Sequence, residues 1–305
     1  MADRILFFGN ERLATGVTTA APTLQGLIEA GYNVAAVVVA QGEIGKSRKP
    51  RQLEVAAVAE QHNIPVISPA RLSEAEDDLK KFKPEAAVLV AYGKLVPESV
   101  INLFPRGIIN IHPSLLPKHR GPTPIEGVIL ENEKETGVSL MKLVPKMDAG
   151  PVYAQQKVKF KGNETKQQMA DALLALGKEL LLLNLPNILN GSLLAREQDD
   201  EEASYDTKIT KEDAELDFHK TAERLAREVR ANLGWPRSRA MIGTTEVIVT
   251  QAHVKDFNGT AGTLWLQDQQ LGVHCETGTL IIDKLIPPGK KEMPAAAFLA
   301  GYKPI

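Results

Sequence analysis

Along the first half of the chain, short continuous apolar runs alternate with stretches of helical spacing. Arg4-Ile-Leu-Phe-Phe8 predicts a buried strand closed by Gly9-Asn10, and Leu24 to Ala30 a helix with Gly31 at its C-cap position. Asn33 to Ala40 is rich in Val and too short for a free-standing helix, so it reads as a second strand. Leu53 to His62 has helical spacing, Ile64 to Ile67 is a short third strand, and Glu74 to Lys83 is an amphipathic helix. Ala86 to Ala91 is a fourth strand that ends in Tyr92-Gly93-Lys94, and a helix near Pro97 to Leu103 precedes the apolar run Ile108 to Ile111. Strands that are apolar throughout, alternating with helices, mark an α/β domain with a mainly parallel sheet covered on both faces. In such sheets ligands lie at the carboxyl ends of strands, where the strand order reverses.

The pattern then changes. Gly137 to Val144 alternates with period two and predicts a strand with one exposed face, and a second strand follows at Val152 to Phe160. Thr165 to Leu189 predicts a long helix that Gly191 ends, its run Leu180 to Leu183 packing deeply. Arg196 to Asp206 is acidic with few apolar anchors and reads as a solvated linker. Lys211 to Arg230 is a helical region, and after Trp235-Pro236 short strands separated by Gly recur at about ten-residue spacing, the signature of a small β-barrel. The expected division is a domain over 1–190, a linker over 191–207 and a smaller β domain over 208–305.

Composition narrows the function classes. With 43% hydrophobic and 24% charged residues, disorder is excluded. A formal charge of −2 exerts no global pull on nucleic acid, so any such binding must come from a local basic patch. Cys275 is the only cysteine, which rules out an intrachain disulfide and a cysteine zinc site. The six histidines lack metal-ligand spacing, so no metal is expected, and neither a nucleophile elbow nor a phosphate-binding glycine loop is present. Met-Ala-Asp-Arg runs straight into a strand, unlike a signal or transit peptide, and no apolar run is expected to reach membrane-spanning length. The expectation is a cytoplasmic protein with no membrane and no obligate protein partner.

One stretch carries chemistry. In Gly107 to Ile125, Asn110 and His112 are two apart, so both leave the same face of a buried strand at its end. Pro113, Pro117, Pro122 and Pro124 stop the strand and forbid a long helix before about residue 125. Downstream, Asp148 sits in Lys146-Met-Asp-Ala-Gly150. An Asn, a His and an Asp together suit attack on a carbonyl carbon. Asn110 would donate to the forming oxyanion, His112 would move a proton, and Asp148 would orient and charge-stabilise the His or help deprotonate an amine. No Ser or Cys stands out as a covalent nucleophile, so direct transfer between two bound substrates is the simplest scheme. A plainer reading stays open: Asn110 and His112 tucked against loop carbonyls, and Asp148 capping its own loop.

Asn110-Ile-His-Pro-Ser-Leu-Leu-Pro117, with Arg120-Gly121, Thr136-Gly137 and Asp148-Ala-Gly150, resembles the folate-dependent formyltransferase family. Ser-Leu-Leu-Pro with Arg-Gly-Pro-Thr-Pro-Ile, Tyr205 to Phe218, Asn232-Leu-Gly-Trp-Pro236 and Pro287 to Met293 are similar to members that act on initiator methionyl-tRNA. The resemblance spans nearly the whole chain, and the C-terminal motifs are the more selective ones. It implies a Rossmann-like N-terminal domain and an OB-like β-barrel. It also implies transfer of the formyl group of 10-formyltetrahydrofolate, a donor consumed at each turnover, to the α-amine of methionine on initiator tRNA. Asn110, His112 and Asp148 fall on the family's catalytic positions. Ser114, Leu115, Leu116 and Pro117 fall on its folate-binding segment, and Val90, Tyr92 and Gly93 on a loop lining the pterin pocket. Lys46, Arg48, Lys49 and Arg51 occupy the place of a basic loop that contacts the acceptor stem, although such loops are often merely solvated.

In the C-terminal part Lys208, Lys211, Arg224, Arg227 and Arg230 could form a phosphate-binding stripe. Two stretches depart from the family pattern. Gly9-Asn10-Glu11 stands where Gly-Thr-Pro is usual, and the loop from Gln41 to Arg51 lacks a Gly-Arg-Gly-Lys-like core. An acceptor that is an amino sugar or nucleotide is disfavoured by the C-terminal motifs. A non-catalytic RNA-binding role is disfavoured by the intact Asn110, His112 and Asp148.

Overall fold

The computed structural model describes residues 4–40 and 53–302. The chain forms two units, one built from Met1–Ile125, Glu135–Phe160 and Gln168–Thr207, the other from Glu126–Lys134, Lys161–Gln167 and Lys208–Ile305.

The apolar runs of the N-terminal part become the strands of one seven-stranded sheet. These are β1 (Arg4–Gly9), β2 (Asn33–Val38), β3 (Val66–Ile67), β4 (Ala86–Val90), β5 (Ile108–His112), β6 (Glu135–Lys142) and β7 (Val152–Lys159). Their order is β3-β2-β1-β4-β5-β6-β7. The first five run parallel, β6 pairs antiparallel with β5, and β7 pairs antiparallel with β6. The order reverses between β1 and β4, which puts a topological switch point at their carboxyl ends. The connections include α1 (Pro22–Glu29), α2 (Glu54–Gln61), α3 (Glu76–Lys81), α4 (Glu98–Ile101), α5 (Pro124–Leu130) and α6 (Lys166–Asn190).

Ile5, Leu6, Phe7 and Phe8 are all fully buried, as a strand covered on both faces requires. Phe8 meets Tyr92 and Phe104 edge-on, at centroid distances of 5.7 and 5.9 Å. Side chains of this size stabilise the fold by about 1.5–3 kcal/mol each on burial. At the end of β1, a Cβ on Gly9 would lie 1.8 Å from the Val90 carbonyl oxygen, so only glycine lets β1 and β4 close together there.

Three expectations are corrected in this unit. The period-two strand β6 has no exposed face: from Thr136 to Met141 every residue is buried. Val138 and Leu140 lie on one face, and on the other the loop after β5 folds back over Ser139. In α6, Leu181 is fully buried, whereas Leu183 is 75% exposed. The same helix is apolar and long enough, by length and composition, to cross a membrane. Between Ala172 and Asn190 its charges are Lys178 and Glu179, which interrupt the run that a contiguous reading looks for. Leu173, Leu174, Leu181, Leu185 and Ile188 are buried in the protein, as in a core helix.

The second unit contains α7 (Ala222–Ala231), β8 (Arg239–Ile242), β9 (Thr245–Lys255), β10 (Leu264–Gln267), β11 (Gln270–His274), β12 (Thr279–Ile286), β13 (Met293–Pro294) and α8 (Ala295–Tyr302). Its antiparallel sheet has the order β10-β11-β12-β9-β8, with β13 on β12. Placing β9 beside β12 after a three-strand meander is a Greek-key arrangement, and the sheet curls as a half-barrel. Leu225 and Val229 of α7 and Phe298 of α8 fill its core with Ile242, Val249, Leu271 and Leu285.

The helical region expected from Lys211 is broken. Asp217 accepts a bond from the His219 amide, and Thr221 Oγ1 caps Arg224, so short polar side chains divert the backbone until α7 begins. Nor do its arginines stand as a free phosphate stripe. Arg224 and Arg227 donate to the carbonyl of Leu130, the last residue of α5, and Arg230 donates to the Glu164 carbonyl.

Candidate active site

β5 separates its two faces sharply. Ile109 and Ile111 point one way, and α6 comes so close that a Cβ on Gly177 would sit 2.6 Å from Ile111. Asn110 and His112 point the other way, opposite Met141 and Ser139 of β6. Both polar residues are buried, at 7% and 4% exposure.

The loop that follows is held from beneath by Ser139, a residue that local pattern did not single out. Ser139 Oγ donates to the Ser114 carbonyl at 2.7 Å and accepts from the Leu116 amide at 3.0 Å. Gln155 Nε2 donates to Ser139 Oγ and to the Leu116 carbonyl, each at 2.8 Å. Ser114 Oγ donates within the loop to the Lys118 carbonyl at 2.7 Å. The one hint of Ser139 in the sequence is a hydroxyl at an inward position of an otherwise apolar strand.

The loop then turns back on His112. His112 Nε2 lies 2.9 Å from the His119 carbonyl oxygen. A carbonyl can only accept, so Nε2 carries the proton and Nδ1 of the neutral ring is the basic nitrogen. Nδ1 faces Asp148 Oδ1 at 3.8 Å. That is too long for a hydrogen bond, yet close enough for strong attraction once the ring is protonated. The second oxygen, Asp148 Oδ2, accepts from the Gly121 amide at 2.8 Å. His112 thus makes the plain loop contact considered above, whereas Asp148 caps the amide of a different loop, 27 residues away, and each keeps one further atom aimed at the other.

Asp148 stands in a tight turn, at φ +47°. Gly150 makes that turn possible, because a Cβ there would lie 1.9 Å from the Lys142 carbonyl oxygen. The acidic segment read as a solvated linker runs along this loop and is tied to it. Asp199, Glu201 and Glu202 are exposed. Asp200 pairs with Arg120 and Lys146, Tyr205 accepts from Arg120, and Asp206 Oδ2 meets His119 Nδ1 at 2.9 Å. Arg120 is fully buried. Burial opposes its charge, but the Tyr205 hydroxyl and the Asp200 carboxylate more than offset this and raise its pKa.

Residues 4–185 match the model of the Formyl transferase family, and residues 208–303 match that of the Formyl transferase, C-terminal domain. The chain belongs to the formyl transferase family. It is 36% identical over 304 residues to a methionyl-tRNA formyltransferase of Methylococcus capsulatus, covering 98% of this chain and 97% of that protein. It is 35% identical over 295 residues to a methionyl-tRNA formyltransferase of Thermotoga maritima, covering 95% and 92%. Its fold is similar, at TM-score 0.69 and 19% identity, to an N-formyltransferase of Helicobacter canadensis crystallised with folinic acid and dTDP-3-aminofucose, covering 96% of this chain and 100% of that one.

Within this formyl transferase, the residues expected from the family are placed unevenly. Val90 and Tyr92 are buried, while Gly93 is exposed at φ +75°. Ser114 and Leu116 are buried, and Leu115 and Pro117 half-buried. Lys46, Arg48, Lys49 and Arg51 lie outside the described residues. In the departing stretch after β1, Glu11 is 1% exposed, and its two carboxylate oxygens accept from the Thr23 and Leu24 amides at 2.8 Å each, capping α1. Burial raises its pKa, against the lowering by those two amides. Among the described residues no group of three or more His, Cys, Asp or Glu side chains is placed to hold a metal ion.

Proposed function

We propose that this protein transfers the formyl group of 10-formyltetrahydrofolate to the α-amino group of methionine on initiator methionyl-tRNA, in the cytoplasm. One observation carries the choice of acceptor: the likeness to methionyl-tRNA formyltransferases runs through both units, over 98% of the chain in one case. The reaction class is supported by Asn110 and His112 on one strand face, with Asp148 3.8 Å from the ring.

The amine attacks the formyl carbon, and the Asn110 amide donates to the oxyanion as it forms. His112 Nδ1 takes the proton released by the amine, and the Asp148 carboxylate stabilises the imidazolium. Collapse of the tetrahedral species breaks the bond to N10 of the folate, which leaves with a proton returned through His112. One N–H is lost and one gained, and no covalent enzyme intermediate is needed. Ser114 to Pro117, with Val90, Tyr92 and Gly93, hold the folate. Lys46, Arg48, Lys49 and Arg51 meet the acceptor stem.

The test is transfer from 10-formyltetrahydrofolate to charged initiator tRNA, run beside uncharged tRNA and nucleotide-linked amino sugars. Formylation of the charged tRNA alone is expected. Transfer to an amino sugar with none to methionyl-tRNA would overturn the assignment.

A further inference from the structure

Gln198 lies 78 residues from Arg120 and 50 from Asp148 in the chain, yet its amide joins both. Oε1 accepts from Arg120 Nε at 3.0 Å and Nη2 at 2.9 Å. Nε2 donates to the Asp148 carbonyl at 2.8 Å and to the Gly150 carbonyl at 2.7 Å. Among side chains only a primary amide offers a two-bond acceptor at one atom and a two-bond donor at the next. Arg120 neighbours His119, whose carbonyl holds His112, and Asp148 carries the carboxylate that faces His112. Gln198 therefore spans the two loops whose separation sets the distance between Nδ1 of His112 and Oδ1 of Asp148.

The rest of the segment reinforces one side of this bridge. The His119 amide donates to Ser204 Oγ at 2.9 Å, the Arg120 amide donates to the Ser204 carbonyl at 2.9 Å, and the Asp206 amide donates to the Arg120 carbonyl at 2.8 Å. That side has many ties. On the other side, Gln198 supplies two bonds to the backbone of the Asp148 turn itself. A change confined to Nε2 should then loosen the Asp148 turn, which keeps the Gly121 amide and the Lys146–Asp200 pair, while leaving Arg120 held.

Resting on the formyl-transfer reading above, we infer that Gln198 is a positioning residue for this reaction, keeping Asp148 in register with His112. Gln198→Glu isolates the role. Its carboxylate still accepts from Arg120, now as a charge-assisted pair, but it cannot donate to the Asp148 and Gly150 carbonyls and repels them. In the full chain, kcat for formyl transfer should fall by about tenfold to a hundredfold, the scale of a 1 Å misplacement of reacting groups. KM for the folate should stay within about twofold, because the Ser114 to Pro117 segment is held by Ser139 and Gln155.

Nitrogen-15 NMR of the labelled histidines gives a readout independent of turnover. The His112 signals should shift in Gln198→Glu and stay in place in Asp199→Asn, whose side chain serves only its own turn. If Gln198→Glu accumulates poorly, Gln198→Asn carries the same expectation, since it keeps the donors and acceptor one methylene short. Unchanged kcat and unchanged His112 signals would overturn the inference, and so would an equal loss of kcat in Asp199→Asn. Absence of formyl transfer by the wild-type chain would instead refute the functional reading, and the NMR comparison would still decide the positioning.

Discussion

Ser139→Ala tests whether the segment Ser114 to Pro117, proposed above to hold the folate, depends on one buried hydroxyl. Ser139 is fully buried and uses its whole capacity, donating once to Ser114 and accepting from Leu116 and from Gln155. In the alanine variant Gln155 keeps the Leu116 carbonyl, but the Ser114 carbonyl and the Leu116 amide lose their partner in a buried site. A buried group left unsatisfied costs about 1–3 kcal/mol, so two of them, allowing for some relaxation of the loop, should cost about 2–4 kcal/mol. The urea midpoint at neutral pH should drop accordingly, with an unchanged slope. The functional effect should be asymmetric. KM for 10-formyltetrahydrofolate should rise several-fold as Ser114 to Pro117 loosens, and kcat at saturating donor should change less. A loss below about 0.5 kcal/mol together with an unchanged KM would refute the reasoning, since it would place Ser139 among ordinary neutral substitutions.

Two further outcomes follow from the site. Asp148→Asn keeps an acceptor for the Gly121 amide but removes the charge 3.8 Å from His112. An attraction at that range is worth about 1 kcal/mol in a water-like medium and about 4 kcal/mol at an effective dielectric near 20. Single-turnover transfer should thus slow by about fivefold to a thousandfold with little change in Tm, and a rate within threefold of wild type, roughly the 0.6 kcal/mol of thermal energy, would count against the imidazolium step. Glu11, whose folded pKa burial raises, holds its proton more tightly in the folded than in the unfolded chain. Its contribution to stability is therefore full below the ordinary value of 4.5 and is lost as pH rises through the folded value. Urea midpoints measured upward from pH 4.5 should fall more steeply in wild type than in Glu11→Gln, and parallel profiles would remove Glu11 as the cause.

Much of the fold follows from local pattern. Continuous apolar runs such as Ile5 to Phe8 can be satisfied only between two covering layers, and they lie there. The period of two in a strand puts Asn110 and His112 on one face by spacing alone, and the prolines after them require a loop. A period, however, says which residues share a face and is silent on what covers it. The β6 strand was expected to show a face to solvent, but the loop after β5 closes over Ser139 through bonds to Ser114 and Leu116. The polar side chains from Gln198 to Asp206 look like a solvated run because their partners, Arg120, His119 and the Asp148 turn, are 50 to 87 residues away in sequence. Arg224 and Arg227 read as candidates for phosphates, but the carbonyl of Leu130 takes them, more than 90 residues distant.

By itself, then, the order of residues determined the strands, the face that carries Asn110 and His112, and the family signature, because each depends on neighbours within a few positions. Only the tertiary structure decided which nitrogen of His112 is basic. That rests on the His119 carbonyl being folded to within 2.9 Å of Nε2, and on Asp148 being turned to face Nδ1. Both distances are set by loops that meet far from where the chain makes them.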